Sequence, residues 1–126
     1  MESKIFVDAN VVISILRGEE NAEHLSKILM RYEVRCVSVL TCHIAHYVLK
    51  KLGKKDGEIK EFITEFFEIL PMDSDTYQDS FLLSMNDDME DAFQLSCAYQ
   101  NGCGTIITLD TKMKKDYSRQ FIFIEI

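Results

Sequence analysis

The sequence predicts an α/β protein, a three-layer α/β/α sandwich around a central, mostly parallel sheet of four to five strands. Two short runs, residues 5–7 (Ile-Phe-Val) and 105–108 (Thr-Ile-Ile-Thr), are long enough for strands and too short for helices. Around them, apolar residues recur at helical spacing, so strands and helices alternate along the chain. The runs are apolar on successive residues, which fits parallel strands covered on both faces. At 126 residues the chain makes one domain, 1–126, with its own core.

Residues 5–7 form the first strand, followed by a short apolar helix over 11–16 that Gly18 ends. Ala22, Leu25, Ile28, Leu29 and Tyr32 share one helical face. A second short strand is expected at 35–37. The helix over 39–52 carries its apolar stripe on Ile44, Ala45, Val48, Leu49 and Leu52. Gly53 and Gly57 flank a turn, after which Ile59, Phe62, Ile63, Phe66 and Phe67 mark an amphipathic helix. The single proline, Pro71, fits the end of a connection into a third, edge strand at 69–71. A helix over about 75–84 carries Tyr77, Phe81 and Leu82. Asp88 reads as the N-cap of a central helix over 89–100, which Asn101-Gly102 terminates. Residues 105–108 and 121–124 are the last two strands.

The formal charge of −7 argues against broad, non-specific nucleic-acid binding, which needs basic residues to neutralise phosphates. It does not exclude a nuclease, because a bound metal inverts the sign of its site. Lysines cluster at Lys50, Lys51, Lys54 and Lys55, and at Lys112, Lys114 and Lys115; they are solvated helix ends or contacts to a phosphate backbone. Cys36, Cys42, Cys97 and Cys103 have no CxxC spacing, so neither a disulfide framework nor a zinc site is expected. His43 and His46 share a helix face but lack a third ligand nearby in sequence. No apolar stretch can span a bilayer. The start enters a strand without a long apolar leader, so a cytoplasmic location is the expectation.

Three acids stand where strands give way to helices: Asp8 in IFVDAN, Asp91 in NDDMEDAF and Asp110 in TIITLD. Each has a structural alternative. Asp8 can cap the short helix after the first strand, Asp110 can cap a turn before Lys112, and Asp91 sits three residues after the Asp88 cap, where a helix favours negative charge. Their joint placement says more. α/β sheets bind ligands at the carboxyl ends of their strands, and carboxylates gathered there repel one another unless a cation intervenes. Hard oxygen ligands select Mg²⁺ or Mn²⁺. A cofactor-binding Rossmann domain is disfavoured, since no Gly-x-Gly-x-x-Gly loop comes after the first strand.

The segments IFVDANVVISILRG, VSVLTCHIAHYVLKK and MEDAFQLSCAYQNGCGTIITLD together resemble a PIN domain, over nearly the whole chain. The resemblance implies an α/β/α fold, a Mg²⁺- or Mn²⁺-dependent ribonuclease, and the toxin half of a VapBC-type toxin–antitoxin pair. By position Asp8, Asp91 and Asp110 match the family's metal-coordinating acids, and Asn10 and Thr108 match polar positions near its site; Asp88 would support it as the cap of the helix that carries Asp91. RNA is the implied substrate. A partner antitoxin and a homodimer through the Phe- and Ile-rich helices are compatible with the chain. One position departs from the pattern. Ser38 and Thr41 fit a Ser-x-x-Thr-x-x-Glu-like helix start, but Ile44 stands where glutamate is expected. His43, about 100° away around the helix, does not replace it. The alternative reading is a non-catalytic module whose acidic pocket accepts a basic segment of a partner.

Overall fold

The computed structural model describes residues 2–84 and 86–126. Its elements run β1 (Glu2–Val7), α1 (Ala9–Arg17), α2 (Ala22–Leu29), β2 (Tyr32–Ser38), α3 (Val39–Lys51) and α4 (Asp56–Phe66). They continue with β3 (Glu68–Leu70), α5 (Ser74–Leu83), α6 (Met89–Gln100), β4 (Thr105–Ile107), α7 (Thr111–Asp116) and β5 (Ile122–Phe123). The five strands make one sheet in the order β3-β2-β1-β4-β5, parallel at every pairing. The fold expected from the sequence is the fold observed.

Alternation along β1 divides the core. Ile5 and Val7 join Val12, Leu25, Leu29, Ala45, Leu49, Ile59 and Ile63, so α1 to α4 cover one face. Phe6 points the other way, to Leu95, Ala98, Met113 and Tyr117, so α6 and α7 cover the opposite face. Burial on both sides explains why residues 5–7 are apolar throughout rather than alternating.

The helix stops follow local chemistry. Gly18 and Gly102 adopt φ of 67° and 74°, left-handed values that cost glycine least. Asp88 caps α6 as expected, its Oδ1 accepting the Glu90 and Asp91 amides at 3.0 and 3.2 Å.

Several boundaries differ from the sequence reading. Tyr32 opens β2 instead of closing the preceding helix, pairing in register with Glu2. Its helical spacing misleads because it packs into the same core cluster as Leu25, Ile28 and Leu29. β2 is longer than residues 35–37 because its first residues also pair with β1, Tyr32 with Glu2 and Val34 with Lys4; within it, half-buried Arg35 bonds the carbonyls of Tyr32 and Phe66 and lies over the Phe66 ring. Gly57 falls inside the first turn of α4, leaving Gly53 (φ 91°) to make the turn. Phe67 is extended and lies beyond α4, though still buried. The third strand is Glu68–Leu70, with Pro71 just after it. The last strand contracts to Ile122–Phe123. α7 stands where the sequence suggests only a turn.

Among the described residues no helix is long and apolar enough to cross a membrane. All four cysteines are free, and Cys36, Cys97 and Cys103 are buried.

Candidate active site

From β1 the chain leaves through α1 and α2 toward β2, whereas from β4 it leaves through α7 toward β5. The two connections diverge between the carboxyl ends of neighbouring strands β1 and β4. This divergence opens the crevice in which α/β sheets bind ligands. Asp8 comes directly after β1, and Thr108 to Asp110 come after β4. Asp91 joins them from the first turn of α6.

A buried hydroxyl ties the two strand ends together. Thr108 Oγ1 donates to Asp8 Oδ2 at 2.7 Å and accepts from Asn10 Nδ2 at 3.2 Å and from the Asp110 amide at 3.1 Å. Asn10 Oδ1 accepts the Leu109 amide at 3.1 Å, so Asn10 holds the turn after β4. Asp8 Oδ1 takes the Ala9 amide at 2.8 Å. The hydroxyl serves the carboxylate of Asp8, and toward Asp110 it only accepts. Thr108→Val keeps the volume and removes all three bonds. With a buried carboxylate oxygen and an amide left unpaired, the expected loss is roughly 2–4 kcal/mol by urea denaturation; a change below about 1 kcal/mol would show the hub to be dispensable.

Both central acids are nearly covered, Asp8 at 7% and Asp91 at 6% exposure. Burial pushes the Asp8 carboxyl up to about 6, against its hydrogen bonds to Thr108 and Ala9 and with the charges of Asp110 and Glu90 adding to the rise. Burial also raises Asp91, to about 7, and the charges of Asp88, Asp110 and Asp8 push the same way. Each of the three acids is therefore within electrostatic reach of the other two. Asp110 Oδ1 caps α7 through the Lys112 and Met113 amides, so its capping role coexists with a place in the cluster. Asp88, exposed, supports the site by holding the α6 N-terminus.

The donor set fits a hard divalent cation: all oxygen, with Asp8 and Asp91 buried and Asp110 half-buried, and with none of the ion pairs among the described residues formed by the three. As the side chains stand, no group of three or more His, Cys, Asp or Glu among the described residues converges closely enough to hold an ion. Asp8 and Asp110 each keep one oxygen on a backbone amide, so ligation draws on the remaining lone pairs.

Sequence reasoning missed several participants. Asn86 Nδ2 donates to Asp116 at 3.0 Å and reaches Asp91 Oδ2 at 3.5 Å, while its Oδ1 takes the Asp88 amide. Glu90 adds charge toward Asp8. Gln94, one turn beyond Asp91, is buried between Ser38 Oγ, at 2.5 Å from its Oε1, and Thr41 Oγ1, at 2.7 Å from its Nε2. A glutamine one turn after Asp91, on a helix apolar on most faces, was the available signal. Ile44, where the acid is lacking, is half-buried.

A parallel sheet in the order 3-2-1-4-5 with a carboxylate-lined switch point defines a PIN-like α/β domain. The chain belongs to the PIN-domain family, whose model matches residues 5–116. PIN domains are in general metal-dependent nucleases that use divalent ions. Similar solved structures include a toxin–antitoxin complex from Klebsiella pneumoniae, at 18% identity, TM-score 0.76 and 96% coverage of each chain. The VapC20 toxin of Mycobacterium tuberculosis, described as cleaving the sarcin–ricin loop, is 13% identical with TM-score 0.75, covering 97% of this chain and 99% of that one. VapBC2 from Rickettsia felis, bound to a DNA fragment from its promoter, is 13% identical with TM-score 0.68 and coverages of 96% and 97%. Among curated proteins none matches the sequence significantly.

Proposed function

We propose that this protein is a Mg²⁺- or Mn²⁺-dependent endoribonuclease and the toxin of a toxin–antitoxin pair, acting in the cytoplasm. The observation that carries the reading is that three carboxylates from separate chain segments lie within electrostatic reach of one another at the crevice, two of them buried. Asp8, Asp91 and Asp110 are the metal-holding residues. A bound divalent ion supplies Lewis acidity toward phosphoryl oxygens and water. Thr108 keeps the Asp8 carboxylate in one orientation, so little of it must reorganise when an ion arrives. Asn10 fixes the turn that carries Asp110, and Asp88 holds the helix start that presents Asp91. The α6 N-terminus places positive backbone charge beside the acids. The implied homodimer remains part of this proposal.

Incubating the purified chain with structured RNAs and Mn²⁺ tests the reading. Discrete fragments that disappear with chelator support it; chelator-insensitive fragments would place the activity at another site or in a contaminant. The second reading, a socket for an Arg or Lys of a partner, is favoured by the same raised carboxyls, because a guanidinium relieves them as an ion does. Absence of cleavage together with absence of Mn²⁺ binding would leave that reading standing. The two readings meet in an antitoxin whose basic side chain occupies the crevice in place of metal.

A further inference from the structure

An acidic crevice in a chain of net charge −7 repels every phosphate except the one at the metal, so a long anionic substrate needs a cationic surface close by. α3 is that surface. Its thirteen residues, VLTCHIAHYVLKK, contain no acid and carry His43, His46, Lys50 and Lys51. Ser38, the last residue of β2 and the cap of α3, lies at the same sheet edge as Asp8, because Phe6 pairs with Cys36 in the register of β1 and β2. The helix thus starts at the rim of the crevice and leads away from it.

His43, Tyr47 and Lys51, at four-residue spacing, are exposed in one row. The His43 and Tyr47 rings lie 29° from parallel with centroids 6.3 Å apart. Lys51 Nζ sits 4.1 Å from the centre of the Tyr47 ring and donates to its hydroxyl at 2.9 Å. Tyr47 remains 59% exposed. Beside the row, His46, Tyr47 and Lys50 line an open concavity of about 340 Å³, where Asp56 takes His46 Nδ1 at 2.7 Å and Lys50 Nζ at 3.0 Å. From His43 to Lys51 the row runs about 12 Å at 1.5 Å per residue, and Lys54 and Lys55 extend the charge beyond it.

This pairing of exposed ring and lysine suits single-stranded RNA. Resting on Tyr47, Lys51 occupies the ring with a cation; a phosphate would draw Lys51 off and open the ring face to a base. We propose that the outer row of α3 binds a single-stranded RNA segment running off the acidic crevice, with phosphate on Lys51 and a base stacked on Tyr47. The proposal deepens the ribonuclease reading and rests on it.

The test uses the Asp8→Asn variant of the 126-residue chain, to limit turnover, and a short fluorescein-labelled single-stranded RNA followed by anisotropy. Tyr47→Ala is expected to weaken binding roughly 5- to 100-fold, the range measured for loss of one stacked base, while Tyr47→Phe keeps it. Lys51→Gln is expected to lower the slope of log affinity against log salt by about 0.7, one phosphate contact on a single strand. Photocrosslinking of 4-thiouridine RNA is expected to label the peptide holding Tyr47. Both positions are exposed, so the variants should fold, and unchanged melting would confirm it. RNA bound equally by all variants would overturn the α3 track yet spare the ribonuclease reading, provided the native chain still cleaves RNA in a chelator-sensitive way. Failure of both binding and cleavage would overturn both. Tighter binding of an acidic peptide than of RNA would assign the face to a protein partner and overturn the proposal.

Discussion

Replacing Asp8 with asparagine is expected to lower Mn²⁺-dependent RNA cleavage by roughly 100- to 1000-fold. Asparagine keeps the size and can still accept the Ala9 amide that Oδ1 takes now. It cannot supply negative charge to a cation, and a metal's charge stabilisation in the transition state is worth several kcal/mol, with each 1.36 kcal/mol a factor of ten in rate. The new amide group would also face Thr108 Oγ1, which already accepts from Asn10 and Asp110, so the local hydrogen bonding turns mildly unfavourable. Cleavage measured over a Mn²⁺ series separates lost affinity from lost chemistry. Activity that survives the substitution within threefold would remove Asp8 from the reaction.

The second large effect is on stability. Asp8 and Asp91 are raised in the fold to about 6 and about 7, from an ordinary value of 3.8. Between those values and 3.8 the folded chain holds protons that the unfolded chain has released. Stability therefore falls as pH rises through the folded values, and metal-free protein is expected to melt higher at pH 5 than at pH 8. At about 1.4 kcal/mol per unit, the two groups together amount to a few kcal/mol. Asp56 and Asp73 are lowered and act in the opposite sense, but only as pH drops toward and below their ordinary value, outside this window.

Two additions isolate the cause. Saturating Mn²⁺ should flatten the pH dependence, since a ligand at 100 times its Kd stabilises by about 2.7 kcal/mol. Asp91→Asn should raise the pH 8 melting temperature of metal-free protein by roughly 5–10 °C, about 2 kcal/mol at this chain length. It should also abolish the Mn²⁺ response. The side chain has little to lose, because its one side-chain bond among the described residues, to Asn86, is 3.5 Å long. A melting profile flat from pH 5 to pH 8 without metal would mean the two carboxyls are not strained by burial and by each other. On the proposed reading, the residues that cost the fold stability would be the ones that hold the ion, a trade expected of a built site.

How far these features were legible depends on their range. Elements with strong local signals stand where expected: the apolar β1, the Asp88 cap, the glycine stops, the alternation that builds a parallel sheet. Tyr32 and Phe67 fall elsewhere than expected because helical spacing also describes residues that reach the same core from a strand or an extended turn, whereas Gly57, read as a turn residue by its type, lies in the first turn of α4. α7 escapes detection because six polar-rich residues carry no periodicity, and its cap, Asp110, reads equally well as a metal ligand. In the site, Asp8, Asp91 and Asp110 could be picked out by their position after strands or at a helix start. Their neighbours could not. Asn86, Glu90 and Gln94 matter only through side-chain contacts and charges that cross between elements.

By itself, then, the chain's order of residues determined the α/β class, the strand-terminal acids and the absence of an acid at Ile44, since each depends on local composition and spacing. Tertiary structure alone decided that a Thr108 hydroxyl a hundred residues away would lock Asp8, that three carboxylates would come within electrostatic reach of one another, and that α3 would begin at the same sheet edge. Burial and charge coupling belong to distances in space, and those are set only when β1 and β4 pair.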